Sequence, residues 1–349
     1  MSLFTFSSKS AKTALAPLAF LCAFVSVNLV VAICPKGTVW QQFQADIQRV
    51  EQSGESTNVI IFGDSRSAVL DEKYFRESTL NLSAVSNTIA YSWLILNRIY
   101  NKTRVRPRTI LLMLGPNNYN NNGIFTKRDY ALSQVATLRE ILELFEMDGG
   151  VEYGVDGLFG RLFPVYGRRM EFRSPRAVMG KIRQLWEQIG AQENESSTER
   201  ADEARSHRTE WEESFEDNFP SITRRPEFDI NYYLTYRRSV YVHYELSRLH
   251  IQMLWDVIDM AQAHGARVLL VQLPIEQQLL ALQQKMVGDV FEEMLAQIEH
   301  TSEANVVDLR AETRFEFVDI NHLSARGAYN LTKKILNPLI KKGEMESSD

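Results

Sequence analysis

Three residues of the types that together perform nucleophilic acyl chemistry, Ser65, Asp319 and His322, lie far apart in this chain, each in a predicted loop. A serine hydroxyl attacks a carbonyl only when a base takes its proton, and the base needs an acceptor to orient it. Ser65 follows Gly63-Asp64 at the end of the apolar run Val59 to Phe62. That placement projects its hydroxyl from the carboxyl edge of a sheet, where sites of open α/β folds gather. Gly63 permits a backbone conformation that a side chain would hinder. A lone Gly-Asp-Ser also serves as a turn or a helix N-cap, so the triplet alone decides nothing. Among the histidines, His322 is distinct. It precedes a helix, with Asp319 three residues upstream, whereas His243, His250, His264 and His300 fall within or at the ends of predicted helices and His207 in a charged stretch. The negative charge that develops on an attacked carbonyl needs preorganised donors. Candidates are the Ser65 N–H, an N–H of Ser83 or Ala84, and the side-chain amide of Asn117. Taken singly, Asn117 reads equally as a turn former and Asp319 as a helix cap.

The elements that must position these residues alternate between strand and helix. Strands are expected at Asn58 to Phe62, Leu80 to Ser83, Thr109 to Leu114, Arg267 to Pro274 and Asn305 to Leu309. Their near-continuous apolar runs suit parallel strands covered on both faces. Helices are expected at Ile89 to Tyr100, Glu276 to His300 and from about Ala328 to Ile340, with His264-Gly265 closing a long helix that begins near the Tyr232–Tyr244 cluster. Such alternation means an α/β fold, a three-layer parallel sheet flanked by helices. Its two parts, 57–118 and 237–342, are separated by a long insertion, 119–236, mostly helical or irregular. Helices are expected there at Ser133 to Phe145 and Pro175 to Ile189, and a mobile or partly disordered loop around 193–217, dense in both signs of charge. Tyr232, Tyr233, Tyr236, Tyr241 and Tyr244, with Arg237 and Arg238, admit two readings. They are a packed helix start with snorkelling arginines, or a carbohydrate or acyl-donor surface.

The whole chain narrows the classes. A net charge of −5 over 349 residues argues against a nucleic-acid partner, which needs a basic face. The two cysteines, Cys22 and Cys34, lie in or beside the N-terminal apolar run, which leaves the remainder without a disulfide or a thiol metal site. No His/Cys/carboxylate cluster has zinc-ligand spacing, so neither metal nor cofactor is expected. From Ala14 to Cys34 there is no charged residue, a length that spans a bilayer. Lys9 and Lys12 precede it, which by the positive-inside rule leaves 1–13 as a cytoplasmic tail and exports the rest. The competing reading is a cleaved signal peptide, but Ala32-Ile33-Cys34 followed by Pro35 is a poor cleavage site. Residues 35–56, with Trp40, Phe43, Ile47 and Val50 at near-helical spacing, read as a juxtamembrane stalk.

Gly63-Asp64-Ser65, Gly115-Pro116-Asn117-Asn118 and Asp319-Ile320-Asn321-His322, in this order, resemble the sequence blocks of the SGNH (GDSL-type) hydrolase superfamily. Leu323, Ser324, Gly327 and Ala328 resemble the continuation of the last block. The likeness covers the strand-helix framework from about Asn58 to Ile340 but not the insertion. It implies Ser65 as nucleophile, His322 as base, Asp319 as the partner of that base and Asn117 as an oxyanion donor. Two blocks depart from the pattern. Asn81 to Ser86 lacks the usual second-block glycine, and Asn118 stands where the third block usually has Asp. Any residue but proline has a backbone N–H, so Ser83 or Ala84 is still able to donate.

Among such proteins, those with a membrane anchor and an exported catalytic domain resemble this chain best. The resemblance implies an O-acyl, in particular O-acetyl, transferase or an esterase acting on a cell-envelope or secreted polysaccharide through an acyl-serine. The implied partners are a glycan acceptor or acyl-ester substrate, the membrane through the N-terminal helix, and a multi-pass membrane acyltransferase. The alternative is a non-catalytic subunit of the same fold that binds or assembles a polysaccharide-modification complex.

Overall fold

The computed structural model describes residues 21–22, 24–29, 31–32, 38–85, 87–123, 130–167 and 230–346. Five strands, β1 (Val59–Gly63), β2 (Thr79–Asn81), β3 (Thr109–Met113), β4 (Arg267–Gln272) and β5 (Asn305–Asp308), form one sheet in the order β2-β1-β3-β4-β5. Every neighbouring pair is parallel. The apolar runs that mark β1, β3 and β4 are buried along their length except at Arg267, as expected for strands covered on both faces.

Side chains alternate across the pleat, which sorts each strand between two cores. Ile60, Phe62, Ile110, Leu112, Val268 and Leu270 point to one face. There they meet α1 (Thr38–Ser53), α2 (Ile89–Lys102), the α3–α5 group (Tyr130–Val135, Leu138–Leu144, Val151–Leu162), α8 (Arg248–Ala263) and one side of α9 (Gln277–Thr301), while α6 (Pro164–Gly167) packs on α5. Val59, Ile61, Leu111, Met113, Leu269 and Val271 point to the other. That face is closed by α10 (Ala325–Leu331), a π-helical turn at Thr332–Leu336, α11 (Asn337–Glu346) and the loop carrying Leu70 and Phe75. A third, smaller cluster joins α7 (Ile230–Tyr241), α9 and Ile320. The fold is α/β, a parallel sheet flanked by helices.

Three expectations need revision. Thr38–Ser53 is not a stalk. Phe43 and Val50 are fully buried in the main core, and Asp46 between them is also buried. Asp46 accepts hydrogen bonds from Tyr91 Oη (2.7 Å) and Gln42 Nε2 (3.0 Å). Burial raises its carboxyl to about 6, against the opposing effect of Tyr91, Arg49 and Gln42. The expected helix Ser133 to Phe145 breaks at Thr137, whose hydroxyl caps α4 by accepting from the Glu140 N–H. Glu140 in turn ties α4 to α2 through a buried ion pair with Arg98 at 2.9 Å. The long helix ending at His264 is two helices, α7 and α8, separated by a short link.

Among the described residues no helix is long and apolar enough to cross a membrane. Much of the expected span 14–34 lies outside the described residues, as do the helix Pro175 to Ile189 and the charged stretch 193–217.

Candidate functional site

In the strand order 2-1-3-4-5, connections leave in opposite directions on either side of the β1–β3 pair, and the carboxyl ends of these strands are where open sheets of this kind hold their sites. Ser65 follows β1 there and Asn117 follows β3. At Gly63 a Cβ would lie 2.0 Å from Ser67 Oγ and 2.8 Å from the Met113 carbonyl, so only glycine lets the chain turn this tightly between β1 and β3.

The structure brings Ser65 and His322 together. Ser65 Oγ lies 2.9 Å from His322 Nε2, and His322 Nδ1 lies 2.8 Å from Asp319 Oδ2. The carboxylate fixes the proton on Nδ1 and leaves Nε2 to accept from the serine. The other Asp319 oxygen accepts from the backbone N–H groups of Asn321 and His322, each at 2.7 Å. Burial alone would raise the Asp319 carboxyl, but His322 and these two amides outweigh it and hold it below its ordinary range. The loop itself is braced. The Val318 N–H donates to the His322 carbonyl (2.9 Å) and the Ser324 N–H to the Glu316 carbonyl (2.9 Å). Ser324 Oγ then accepts from the Gly327 N–H at 3.0 Å, capping α10. A Cβ at Gly327 would fall 2.2 Å from the Glu316 carbonyl oxygen, so the helix start and the loop fit only with glycine there.

The oxyanion candidates divide. The Ser65 N–H makes no hydrogen bond among the described residues. The Asn117 side chain lies beside the Tyr241 hydroxyl; the atom left without a partner is its Oδ1, an acceptor, so only its Nδ2 counts as a candidate donor. Ser83 and Ala84 differ, because both of their N–H groups already have acceptors. Ser83 donates to Asn81 Oδ1 at 3.0 Å and Ala84 to the Gly63 carbonyl at 3.2 Å. Neither amide is a free donor in this geometry.

Three residues contribute to which the motifs gave no role. Arg66 is buried and grips Asp64 with Nε (3.0 and 3.2 Å) and Nη2 (2.9 Å). Burial would raise the Asp64 carboxyl, but the Arg66 charge and hydrogen bonds hold it low. The guanidinium lies over Gly115, where a Cβ would come within 2.6 Å of it, so the loops after β1 and β3 share this contact. Asn118, the departure in the third block, accepts from the Gly115 N–H (3.1 Å) and donates to the Asn87 carbonyl (2.6 Å). An aspartate has no hydrogen to give Asn87. Asn81 binds the Ser67 and Leu70 carbonyls with its Nδ2 (3.0 and 2.9 Å). The available signal was a run of polar residues just past buried strands, where a side chain must satisfy loop backbone.

The model of a family described as Protein of unknown function (DUF1574) matches residues 38–339, most of the chain. The chain belongs to this family. No curated protein matches it. The DUF1574 match begins at the first residue of α1 and ends within α11. It therefore takes in the whole sheet and each residue of the site, while the uncharged run 14–34 lies outside it.

Proposed function

We propose that this DUF1574 protein is a serine acyl-transfer enzyme of the SGNH type, an O-acyl transferase or esterase acting on an envelope or secreted polysaccharide. The observation that carries the reading is the hydrogen-bond chain from Ser65 through His322 to Asp319, at 2.9 and 2.8 Å, beyond the carboxyl end of β1. Its parts stand in the roles that acyl transfer needs. Ser65 Oγ attacks the acyl carbonyl carbon as its proton passes to His322 Nε2. The oxyanion is met by the Ser65 N–H and the Asn117 amide. The intermediate collapses, the leaving oxygen takes the proton from His322, and the acyl group stays on Ser65. An incoming hydroxyl, of a sugar or of water, then gives its proton to His322, attacks the ester and releases Ser65. Asp319 keeps its charge throughout and steadies the imidazolium. Transfer rather than hydrolysis requires water to be kept from the acyl-serine, a role open to the insertion 119–236.

Residues 14–34 are proposed as a bilayer anchor that leaves the site outside the cytoplasm. What supports this is the uncharged length of 14–34 behind Lys9 and Lys12.

A second reading, a non-catalytic binding subunit of the same fold, has one observation in its favour: the Ser83 and Ala84 amides are spent on internal acceptors. Labelling of the full chain by a fluorophosphonate separates the two. The acyl-transfer reading expects labelling that the S65A variant loses while its thermal unfolding is retained. Absence of labelling in the wild-type protein supports the binding subunit instead.

A further inference from the structure

Arg237 is a half-buried cation to which the site described so far gives no task. It sits on α7 one turn after Tyr233 and one turn before Tyr241, on the side of the helix that packs toward α9 and Ile320. Its Nη2 donates to the Tyr233 hydroxyl, and its guanidinium lies 4.8 Å from the Tyr233 ring centre and 5.9 Å from that of Tyr236. Its Nε is buried with no hydrogen-bond partner, and among the described residues no carboxylate pairs with it. The contrast with other arginines is sharp. Arg66 holds Asp64, Arg98 holds Glu140, and Arg310 holds Asp308 and Glu292. A desolvated guanidinium faced among the described residues by tyrosines gains part of what it lost through their rings, but its Nε is left without an acceptor.

The fork stands next to the acyl-transfer site. Tyr241 lies beside Asn117 and accepts from Gln283 Nε2 at 3.1 Å, while Tyr244 donates to the Pro116 carbonyl at 3.1 Å. On the other side, burial raises the Tyr233 phenol, Arg237 opposes the rise and the charge of Asp319 adds to it, which brings the hydroxyl within electrostatic reach of the triad. Tyr236, 40 % exposed, offers an aromatic face to solvent at the same place. A cation fork, a phenol and an open ring beside a nucleophilic serine form a subsite for a sugar that carries a negative charge.

We propose that Arg237, with Tyr233 and Tyr236, binds an anionic group of the glycan, carboxylate or phosphodiester, and so selects acidic polysaccharides for the Ser65 site. This deepens the acyl-transfer reading and rests on it for the word substrate, but the binding itself does not require Ser65.

The test therefore uses the full chain with S65A, which cannot acylate. Binding is measured by calorimetry to polygalacturonate (carboxylate), to a glycerol-phosphate polymer (phosphodiester) and to dextran (neutral). The proposal expects at least one acidic polymer to bind and dextran not to, and the acidic polymer that binds identifies the charged group. Adding R237Q should weaken that binding roughly 10- to 100-fold, the range for loss of a charged hydrogen-bond donor. R237K, which keeps the charge but not the fork, should fall between, and it serves alone if R237Q fails to fold by thermal melt. Failure of both acidic polymers to bind, or equal binding by S65A and the Arg237 variants, overturns the subsite. Fluorophosphonate labelling of the Ser65 protein stands or falls separately, so the two readings fail in distinguishable ways.

Discussion

The Ser83 N–H donates to Asn81 Oδ1 over 3.0 Å, and the same asparagine holds the Ser67 and Leu70 carbonyls through its Nδ2. One side chain thus locks the segment after β2 to the loop that follows Ser65. With the Ala84 N–H also engaged, by the Gly63 carbonyl, the donors left for a developing oxyanion are the Ser65 N–H and Asn117. The segment after β2 braces the loop of Ser65, and its Ser83 and Ala84 amides are not free donors.

Asn117 should therefore carry more of the oxyanion stabilisation than in a site with three donors. N117A is expected to lower kcat for a chromogenic acetyl ester by about 10²–10³, with little change in KM. Steady-state kinetics of ester hydrolysis read this directly. A kcat close to wild type would mean that Ser83 or Ala84 turns to the oxyanion when substrate binds.

Asp319 holds the imidazole by its side chain and the loop by two backbone amides. D319N keeps the size but turns the wrong atom toward His322 Nδ1, and a triad so altered loses roughly 10³–10⁴ in kcat. The same kinetics, with a melting curve to confirm the fold, check it. Activity within a few-fold of wild type would remove Asp319 from the mechanism.

N118D restores the residue type usual for the third block, and the structure predicts that it harms this protein. Asn118 Nδ2 is a buried donor to the Asn87 carbonyl at 2.6 Å, and a carboxylate there would face an acceptor. A loss of about 1–3 kcal/mol in unfolding free energy is expected from denaturant titration. A neutral or stabilising effect would show that the two loops are not tied by this bond.

Asp46 gives a pH signature. Its folded carboxyl titrates near 6 against an ordinary 3.8. Between those values the folded chain holds a proton that the unfolded chain has released, so stability falls as pH rises, and above about 6 the contribution is gone. Asp319 and Asp64 are shifted the other way and contribute stability lost only as pH falls below the ordinary carboxyl range. Comparing wild type with D46N cancels them. D46N should gain about 2 kcal/mol on the wild type between about pH 4.5 and about pH 7.5 in urea denaturation. An offset that does not change with pH refutes the assignment.

The sheet was legible because β1, β3 and β4 are apolar along nearly their whole length, a pattern only double-sided cover explains. That Ser65, Asp319 and His322 meet was legible from their types and from their places in loops beside strands or helices. The near-helical spacing of α1 was legible but its burial was not, because the residue that closes its inner face, Asp46, is satisfied by Tyr91 across 45 positions of sequence. The engaged state of the Ser83 and Ala84 amides was out of reach for another reason: every residue but proline has an N–H, and only the backbone path decides whether it is free. Arg237 was read together with its tyrosines, yet the absence of a carboxylate beside it among the described residues is a property of the assembled helices and not of any one of them.

Ser65 and His322 are 257 positions apart, and the strand between their two elements that completes the sheet, β5, is also among the last to be made. During synthesis a ribosome releases Ser65 long before any base exists to arm it, and the pairing must wait for the most non-local contacts of the fold. Ser65 is thus without its hydrogen-bond partner through almost the entire elongation of the chain, and a product that stops short of residue 319 lacks both His322 and Asp319.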